Sequence, residues 1–162
     1  MLRRTPTEVK ALVPKGERLL SWARTRGEGA SFAVATDQAL YLPIPQTIRL
    51  PWDLVGKATW GDDAVLVVEA RLDARGPDRL MRVRLDDPGA FPTVVYERVT
   101  SSVVVSERVL LDGEAGVRIV ARRAGDGLRW TVTFDAGLDP SDPDVRRQAD
   151  AALAELRSTL GV

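Results

Sequence analysis

Apolar and polar residues alternate in short runs along most of this chain, and turn-forming residues separate the runs. The alternation is clearest in Val65 to Leu72 and in Leu80 to Leu85, where apolar residues take every second position. A period of two places apolar side chains on one face of a strand, as in an antiparallel sheet with one solvated face. The first half of the chain is therefore predicted to contain seven strands, at 17–25, 30–35, 38–42, 47–50, 55–60, 65–72 and 80–85.

Helical spacing replaces this pattern after the seventh strand. Apolar residues recur every three or four positions from Phe91 to Ser102, which predicts a helix packed on one side. Asp87 followed by Pro88 suits an N-cap with proline in the first turn. A short helical turn is also predicted near the start of the chain, over 7–13.

Three further strands are predicted after this helix, at 103–111, 117–123 and 128–135. In the last of them, Trp130 and Phe134 share one face, and polar residues occupy the other. A final helix is predicted from Pro143, because Ser141 and Asp144 resemble a capping box just before an apolar stripe.

The predicted order is seven strands, a helix, three strands and a helix, which indicates a β-rich α+β fold. Strands and helices do not alternate, and this argues against a parallel nucleotide-binding sheet. We expect an N-terminal extension over 1–15 and a seven-stranded domain over 16–102. The remainder, 103–162, is expected to form a three-stranded sheet with a C-terminal helix, packed on the same domain.

Three segments resemble a known family. They are 16–20 (GERLL), 34–42 (VATDQALYL) and 48–55 (IRLPWDLV), and they are similar to segments of bacterial pleckstrin-homology-like domains. The resemblance implies a barrel of seven antiparallel strands built from two nearly orthogonal sheets, with the helix closing one open end. It also implies a domain of a kind that often assembles into oligomers.

The whole chain also resembles a group of actinobacterial proteins, and the segments 97–105 and 139–146 carry this second resemblance. The motifs in these segments are typical of strands, turns and helix caps rather than of a catalytic site. The second resemblance therefore supports the predicted fold and implies no particular activity.

The chain contains neither cysteine nor histidine. This excludes disulfides, thiolate chemistry and the imidazole base of a serine hydrolase, and it removes the usual ligands of zinc, copper and haem. We therefore expect a non-enzymatic protein without a cofactor. The alternative is an enzyme that depends on carboxylates, arginine or hydroxyl groups alone.

The 23 basic and 23 acidic residues cancel. Nucleic-acid binding is not favoured, because its affinity rests on neutralising phosphates. No apolar run approaches the roughly 20 residues that span a bilayer, so integral membrane insertion is not expected. No apolar stretch follows the basic residues Arg3 and Arg4, so no secretory signal is predicted and we expect a cytoplasmic protein.

Four aspartates, Asp135, Asp139, Asp142 and Asp144, lie within ten residues. Carboxylates close in sequence are what a calcium site requires, but their spacing does not match the EF-hand loop. Aspartates near a helix N-terminus also serve as caps and complement the helix dipole. We favour the capping interpretation.

Arg24 and Arg26 lie beside the predicted turn of the first hairpin. In pleckstrin-homology-like domains, a basic patch in this region can bind phosphorylated lipid head groups. Here the loop also contains Glu28 and lacks a lysine cluster, so solvated arginines are the favoured interpretation.

A second group of arginines consists of Arg118, Arg122, Arg123 and Arg129, which are predicted to share one face of the second hairpin. Solvated side chains on an exposed sheet are again the favoured interpretation. If this face binds a ligand, an acidic patch of a protein and a phosphate are both candidates.

Among the tryptophans, Trp52 is the candidate contact residue. It follows Pro51 in a predicted loop, so we expect it to be the most exposed tryptophan. Packing in the core or at its rim is the alternative use of an indole.

These observations favour a binding or scaffold module that mediates protein–protein contact or self-association into a homo-oligomer. Exposed strand edges must be covered, and self-association is a common way to cover them. The alternative is a protein that binds a membrane surface or a phospholipid head group.

Overall fold

The computed structural model describes residues 3–27, 31–73, 77–124 and 127–161. The chain divides into two compact units, Met1–Ser102 and Val103–Val162, called here the N-terminal unit and the C-terminal unit. The turn-forming residues between the strands predict turns at 27–29, 73–78 and 125–127, and these three turns lie partly outside the described residues.

The described part of the N-terminal unit contains seven strands, two helices and a short 3-10 turn. In chain order these are α1 (Thr7–Leu12), β1 (Leu19–Thr25), β2 (Ser31–Thr36), β3 (Ala39–Pro43), β4 (Thr47–Pro51), the 3-10 turn Trp52–Leu54, β5 (Val55–Trp60), β6 (Val65–Arg71), β7 (Asp78–Asp86) and α2 (Phe91–Ser102). All seven predicted strands are confirmed, and their ends differ from the prediction by at most two residues.

The seven strands form one antiparallel sheet in the order β4-β3-β2-β1-β7-β6-β5. The sheet is not closed, since β4 and β5 are its two edges. The closed barrel implied by the family resemblance is therefore wrong for this structure. Strands β4 and β5 do not pair because β4 ends at Pro51, which has no N–H to donate, and because the 3-10 turn Trp52–Leu54 redirects the chain.

Helix α2 covers one face of this sheet. Phe91, Val95 and Val99 are buried on it and pack with apolar side chains from both halves of the sheet, among them Leu40 and Leu66. Each fully buried side chain of this size contributes about 1.5–3 kcal/mol. The core between α2 and the sheet is thus the main source of stability in the N-terminal unit.

Helix α2 begins at Phe91 rather than next to Asp87. The backbone of Asp87 has φ +53°, a left-handed conformation, whereas an N-cap residue has extended dihedral angles. The predicted N-cap at Asp87 is therefore wrong, and Asp87 is instead part of the turn that leads from β7 into the helix.

Helix α1 lies on the other face of the sheet, called here the outer face. Val9 of α1 packs against Phe32, Val34 and Tyr41 of β2 and β3. Strand β2 is consequently buried on both faces, which explains why its sequence is almost continuously apolar.

The C-terminal unit is a three-stranded sheet and one helix. Its elements are β8 (Val103–Asp112), β9 (Ala115–Ala124), β10 (Gly127–Phe134) and α3 (Pro143–Leu160), and the antiparallel strands lie in the order β10-β9-β8. The apolar stripe of α3 packs on one face of this sheet. The residues of this small core are Val109, Leu111, Val117, Ile119, Trp130, Val132, Phe134, Ala149, Ala152, Leu153 and Leu156.

Helix α3 is capped at both ends. Asp142 accepts a hydrogen bond from the backbone N–H of Asp144, so Asp142 rather than Ser141 is the N-cap. Pro143 occupies the first turn, as predicted. Gly161 ends the helix with φ +73°, a conformation that glycine adopts without steric cost.

The close approach of β8 and β9 at Gly116 yields a testable prediction. A Cβ atom on Gly116 would lie 2.1 Å from the backbone oxygen of Val109, so we expect Gly116→Ala to lower the free energy of unfolding by about 2 kcal/mol or more. The matched control is Gly127→Ala in the same sheet, where the nearest atom, the Ala124 oxygen, is 4.0 Å away. Urea unfolding followed by circular dichroism measures both, and equal effects would contradict the steric argument.

Candidate functional site

The predicted arginines of the second hairpin lie on the face of the C-terminal sheet opposite to α3. Strand pairing places Arg122 directly opposite Arg129 and places Arg118 directly opposite Arg108. These four residues define the arginine face. Arg108 was not singled out from the sequence, because the register between β8 and β9 that brings it beside Arg118 cannot be read from one strand.

Arg123 does not belong to the arginine face. Successive side chains of a strand point to opposite faces, so the neighbours Arg122 and Arg123 cannot share one. Arg123 pairs with Leu128, on the side of the sheet that packs against α3, and it is exposed at the end of the strand. The prediction of a shared face is therefore confirmed for Arg118, Arg122 and Arg129 and wrong for Arg123.

The carboxylate of Asp135 borders the arginine face. Asp135 lies 2.5 Å from Arg108 and also accepts a hydrogen bond from the backbone N–H of Gly116. The hydrogen bond from Gly116, followed by that from Arg108, holds the pKa of Asp135 below its usual value. Arg118 donates to Ser106 Oγ at 3.1 Å, and its side chain is exposed on the arginine face.

The other two predicted arginines lie on the outer face of the N-terminal unit. Arg24 pairs with Asp86 in the register of β1 and β7, but the carboxylate of Asp86 is 3.4 Å from Arg26 instead. The guanidinium of Arg24 lies 5.7 Å from the centre of the Phe32 ring. Arg24 and Arg26 are thus close together, and both point away from the core.

A cavity of about 330 Å³ opens beside them. Its lining residues are Arg3, Trp22, Arg24, Asp86 and Asp87. The guanidinium of Arg3 lies 3.7 Å from the centre of the Trp22 ring and donates to the backbone oxygens of Trp22 and Asp87, at 2.5 and 2.9 Å. This stack ties the start of the chain to the sheet and forms one wall of the cavity.

Trp52 is buried, so its predicted exposure is wrong. Only 6% of its surface is exposed, and its indole N–H donates to the backbone oxygen of Thr36 at 2.8 Å. The 3-10 turn directs the ring into the core instead of leaving it in a loop. Trp60, at the end of edge strand β5, is the most exposed tryptophan, at 39%.

A hydrogen-bonded network around Glu17 joins the start of β1 to β3 and β4. The Glu17 carboxylate accepts from Thr36 Oγ1, from the Tyr41 hydroxyl and from the Arg49 guanidinium, at distances of 2.5 to 3.0 Å. Burial by itself raises the pKa of Glu17, but these hydrogen bonds outweigh it and the pKa is lowered. Burial and the hydrogen bond to Glu17 raise the pKa of Tyr41.

The capping interpretation of the clustered aspartates is confirmed for Asp142 and Asp144, at the start of α3. Asp139 accepts from the backbone and the hydroxyl of Ser141, and these hydrogen bonds lower its pKa. Asp142 caps α3, and Asp144 in its first turn pairs with Arg147. Among the described residues, no group of three or more acidic side chains is arranged to hold a metal ion.

Comparison with family models, with curated proteins and with solved structures gives no match for this chain. The resemblance to pleckstrin-homology-like domains therefore stays a prediction. Within the described ranges, no helix is both long enough and apolar enough to cross a membrane.

The Glu17 network predicts a pH dependence of stability. Because the pKa of Glu17 is lower in the folded chain than its ordinary value of 4.5, its contribution is present above that value and is lost as the pH falls below it. We expect Glu17→Gln to cost about 2 kcal/mol at neutral pH and to flatten the loss of stability in acid. Urea unfolding at a series of pH values measures this.

The control for this experiment is Glu8→Gln, which changes an exposed carboxylate on α1. It should leave both the stability at neutral pH and the acid dependence close to those of the wild type. A wild-type acid dependence that persists unchanged in Glu17→Gln would show that other carboxylates are responsible.

Proposed function

We propose that this chain is a non-enzymatic protein-binding module and that the arginine face binds an extended, acidic segment of a partner protein. The observation that carries the proposal is the pairing of like charges across the strands. Arg122 lies directly opposite Arg129, and Arg108 lies directly opposite Arg118. The four guanidinium groups gather positive charge on one face of the sheet, and such a face attracts an acidic ligand.

The spacing of the arginines suits an extended ligand. Arg118 and Arg122 are four residues apart on β9, which places their Cα atoms about 13 Å apart. Every second side chain of an extended peptide points the same way, at intervals of about 6.6 Å. Acidic residues at alternate positions of a peptide therefore match both arginines at once.

The chemistry of the surrounding surface favours a protein over a nucleic acid. The C-terminal unit contains eight arginines and ten acidic residues, so its net charge of −2 opposes a long polyanion away from the arginine face. Trp130 and Phe134 pack towards α3, and this leaves no described aromatic side chain on the arginine face for base stacking. The hydroxyls of Ser106, Thr131 and Thr133 share the arginine face by register and suit a peptide backbone.

The N-terminal unit is proposed to be an open variant of the pleckstrin-homology-like fold. Seven antiparallel strands followed by a helix packed on the core face support this assignment. Together with the absence of cysteine and histidine, the proposal describes a cytoplasmic scaffold in which one unit carries the arginine face.

The proposed function predicts a difference between two neighbouring arginines of β9. We expect the full chain to bind a labelled peptide of alternating Glu and Ser, about ten residues long, and Arg118→Glu to weaken this binding at least about tenfold. Arg123→Glu makes the same change of charge on the other side of the sheet and should have little effect. Fluorescence anisotropy at several salt concentrations measures the affinity, which should fall as salt rises.

Three further probes make the experiment decisive. A peptide of alternating Gln and Ser should not bind, because it has the same length without the charge. Tighter binding of a single-stranded oligonucleotide or of anionic lipid vesicles, lost in Arg118→Glu, would replace the proposal with a nucleic-acid or membrane ligand. Equal losses in Arg118→Glu and Arg123→Glu would show a general effect of charge and overturn the assignment to the arginine face.

A further inference from the structure

The cavity on the outer face of the N-terminal unit combines charges of both signs. Arg24 and Asp86 face each other across the ladder of β1 and β7, and both line the cavity. Side chains at directly opposite positions are close enough to interact, since their Cβ atoms are about 5 Å apart. Nevertheless, Arg24 and Asp86 form no ion pair with each other, because Asp86 is turned towards Arg26.

Arg24 is left without a polar partner among the described residues. Its guanidinium lies 5.7 Å from the centre of the Phe32 ring and donates a hydrogen bond to no described acceptor. A planar guanidinium with unused donors is suited to bind a carboxylate through two parallel hydrogen bonds.

The two carboxylates of the cavity are only partly used. Asp86 is 3.4 Å from Arg26, and Asp87 is 3.4 Å from Arg3. A strong charge-assisted hydrogen bond is about 2.7–2.9 Å long, and an ionised carboxylate can accept about four hydrogen bonds. Both aspartates therefore retain the capacity to accept hydrogen bonds from an ammonium group.

One wall of the cavity is held by contacts within the chain. The guanidinium of Arg3 is held between the Trp22 ring and the backbone oxygens of Trp22 and Asp87, and the Trp22 ring meets that of Phe32 edge-on, with centroids 5.8 Å apart. A volume of about 330 Å³ lies at the lower end of the range for small-molecule sites.

We propose that this cavity binds a small α-amino acid in its zwitterionic form. The carboxylate of the ligand pairs with Arg24, its ammonium group lies between Asp86 and Asp87, and its side chain rests against the wall formed by Arg3 and Trp22. A simple anion does not use the two aspartates, and a simple cation does not use Arg24. This site lies in the other unit from the arginine face and does not depend on the function proposed for it.

The experiment uses three related probes on the full chain: L-leucine, N-acetyl-L-leucine and L-leucinamide. The first carries both charges, the second lacks the ammonium group and the third lacks the carboxylate. The indole N–H signal of Trp22 in a ¹H–¹⁵N correlation spectrum, assigned with the variant Trp22→Phe, reports binding. We expect leucine to shift this signal saturably at millimolar concentration and the other two probes to bind at least about tenfold more weakly.

Two variants test the assigned contacts. Arg24→Gln should weaken leucine binding at least about tenfold, whereas Arg82→Gln, an exposed arginine of β7 outside the cavity, should leave it unchanged. Asp87→Asn removes a carboxylate at a position where φ is positive, and asparagine tolerates that conformation. This variant should therefore fold normally and weaken the binding of leucine.

The absence of a saturable shift with leucine would overturn the proposal. N-acetyl-L-leucine binding as tightly as leucine would also overturn it, since the cavity would then be an anion site. Leucine binding that is unchanged in both Arg24→Gln and Asp87→Asn would place the ligand elsewhere.

Discussion

A short ladder between β1 and β7 joins the two halves of the seven-stranded sheet. It consists of the pairs Arg24 with Asp86 and Thr25 with Leu85, and a typical hydrogen bond contributes only about 1 kcal/mol net. The ladder alone is therefore too weak to hold β1–β4 and β5–β7 together. The apolar core beneath it supplies the rest, because α2 packs on side chains from both halves. The same ladder brings Arg24 and Asp86 together on the outer face, so the connection between the two halves of the sheet also supplies part of the cavity lining.

In the C-terminal unit, the two-residue period of the strands separates two kinds of surface. Side chains such as Ile119 and Trp130 meet α3 on one side, and Arg118 and Arg122 lie on the other. The alternation of side chains along each strand is sufficient to produce this separation. What the backbone does not require is that arginine should face arginine on adjacent strands. Because the register sets Arg122 opposite Arg129 and Arg108 opposite Arg118, positive charge is gathered on one face of this sheet.

The fold was predictable from the sequence wherever local chemistry decides it. Alternation gave the strands, and proline and glycine marked the ends of α3. Features that depend on register or on distant packing were not predictable. The burial of Trp52 depends on a 3-10 turn and on the Thr36 backbone, and the position of Arg108 depends on pairing between β8 and β9. The start of α2 does not follow from composition, because Asp87, a residue type suited to a cap, adopts a left-handed conformation.

The neutral total charge of the chain conceals two surfaces that suit different ligands. Exposed ion pairs contribute at most about 1 kcal/mol each, so neither surface binds tightly through a single contact. The arginine face repeats one charge at strand spacing, and it gains affinity only from a ligand that makes several contacts at once. The cavity at Arg24 instead places both signs within the reach of one small molecule, and in the complex we propose, selectivity comes from requiring both. The distribution of charge along the strands, rather than its sum, is therefore the basis of both proposals.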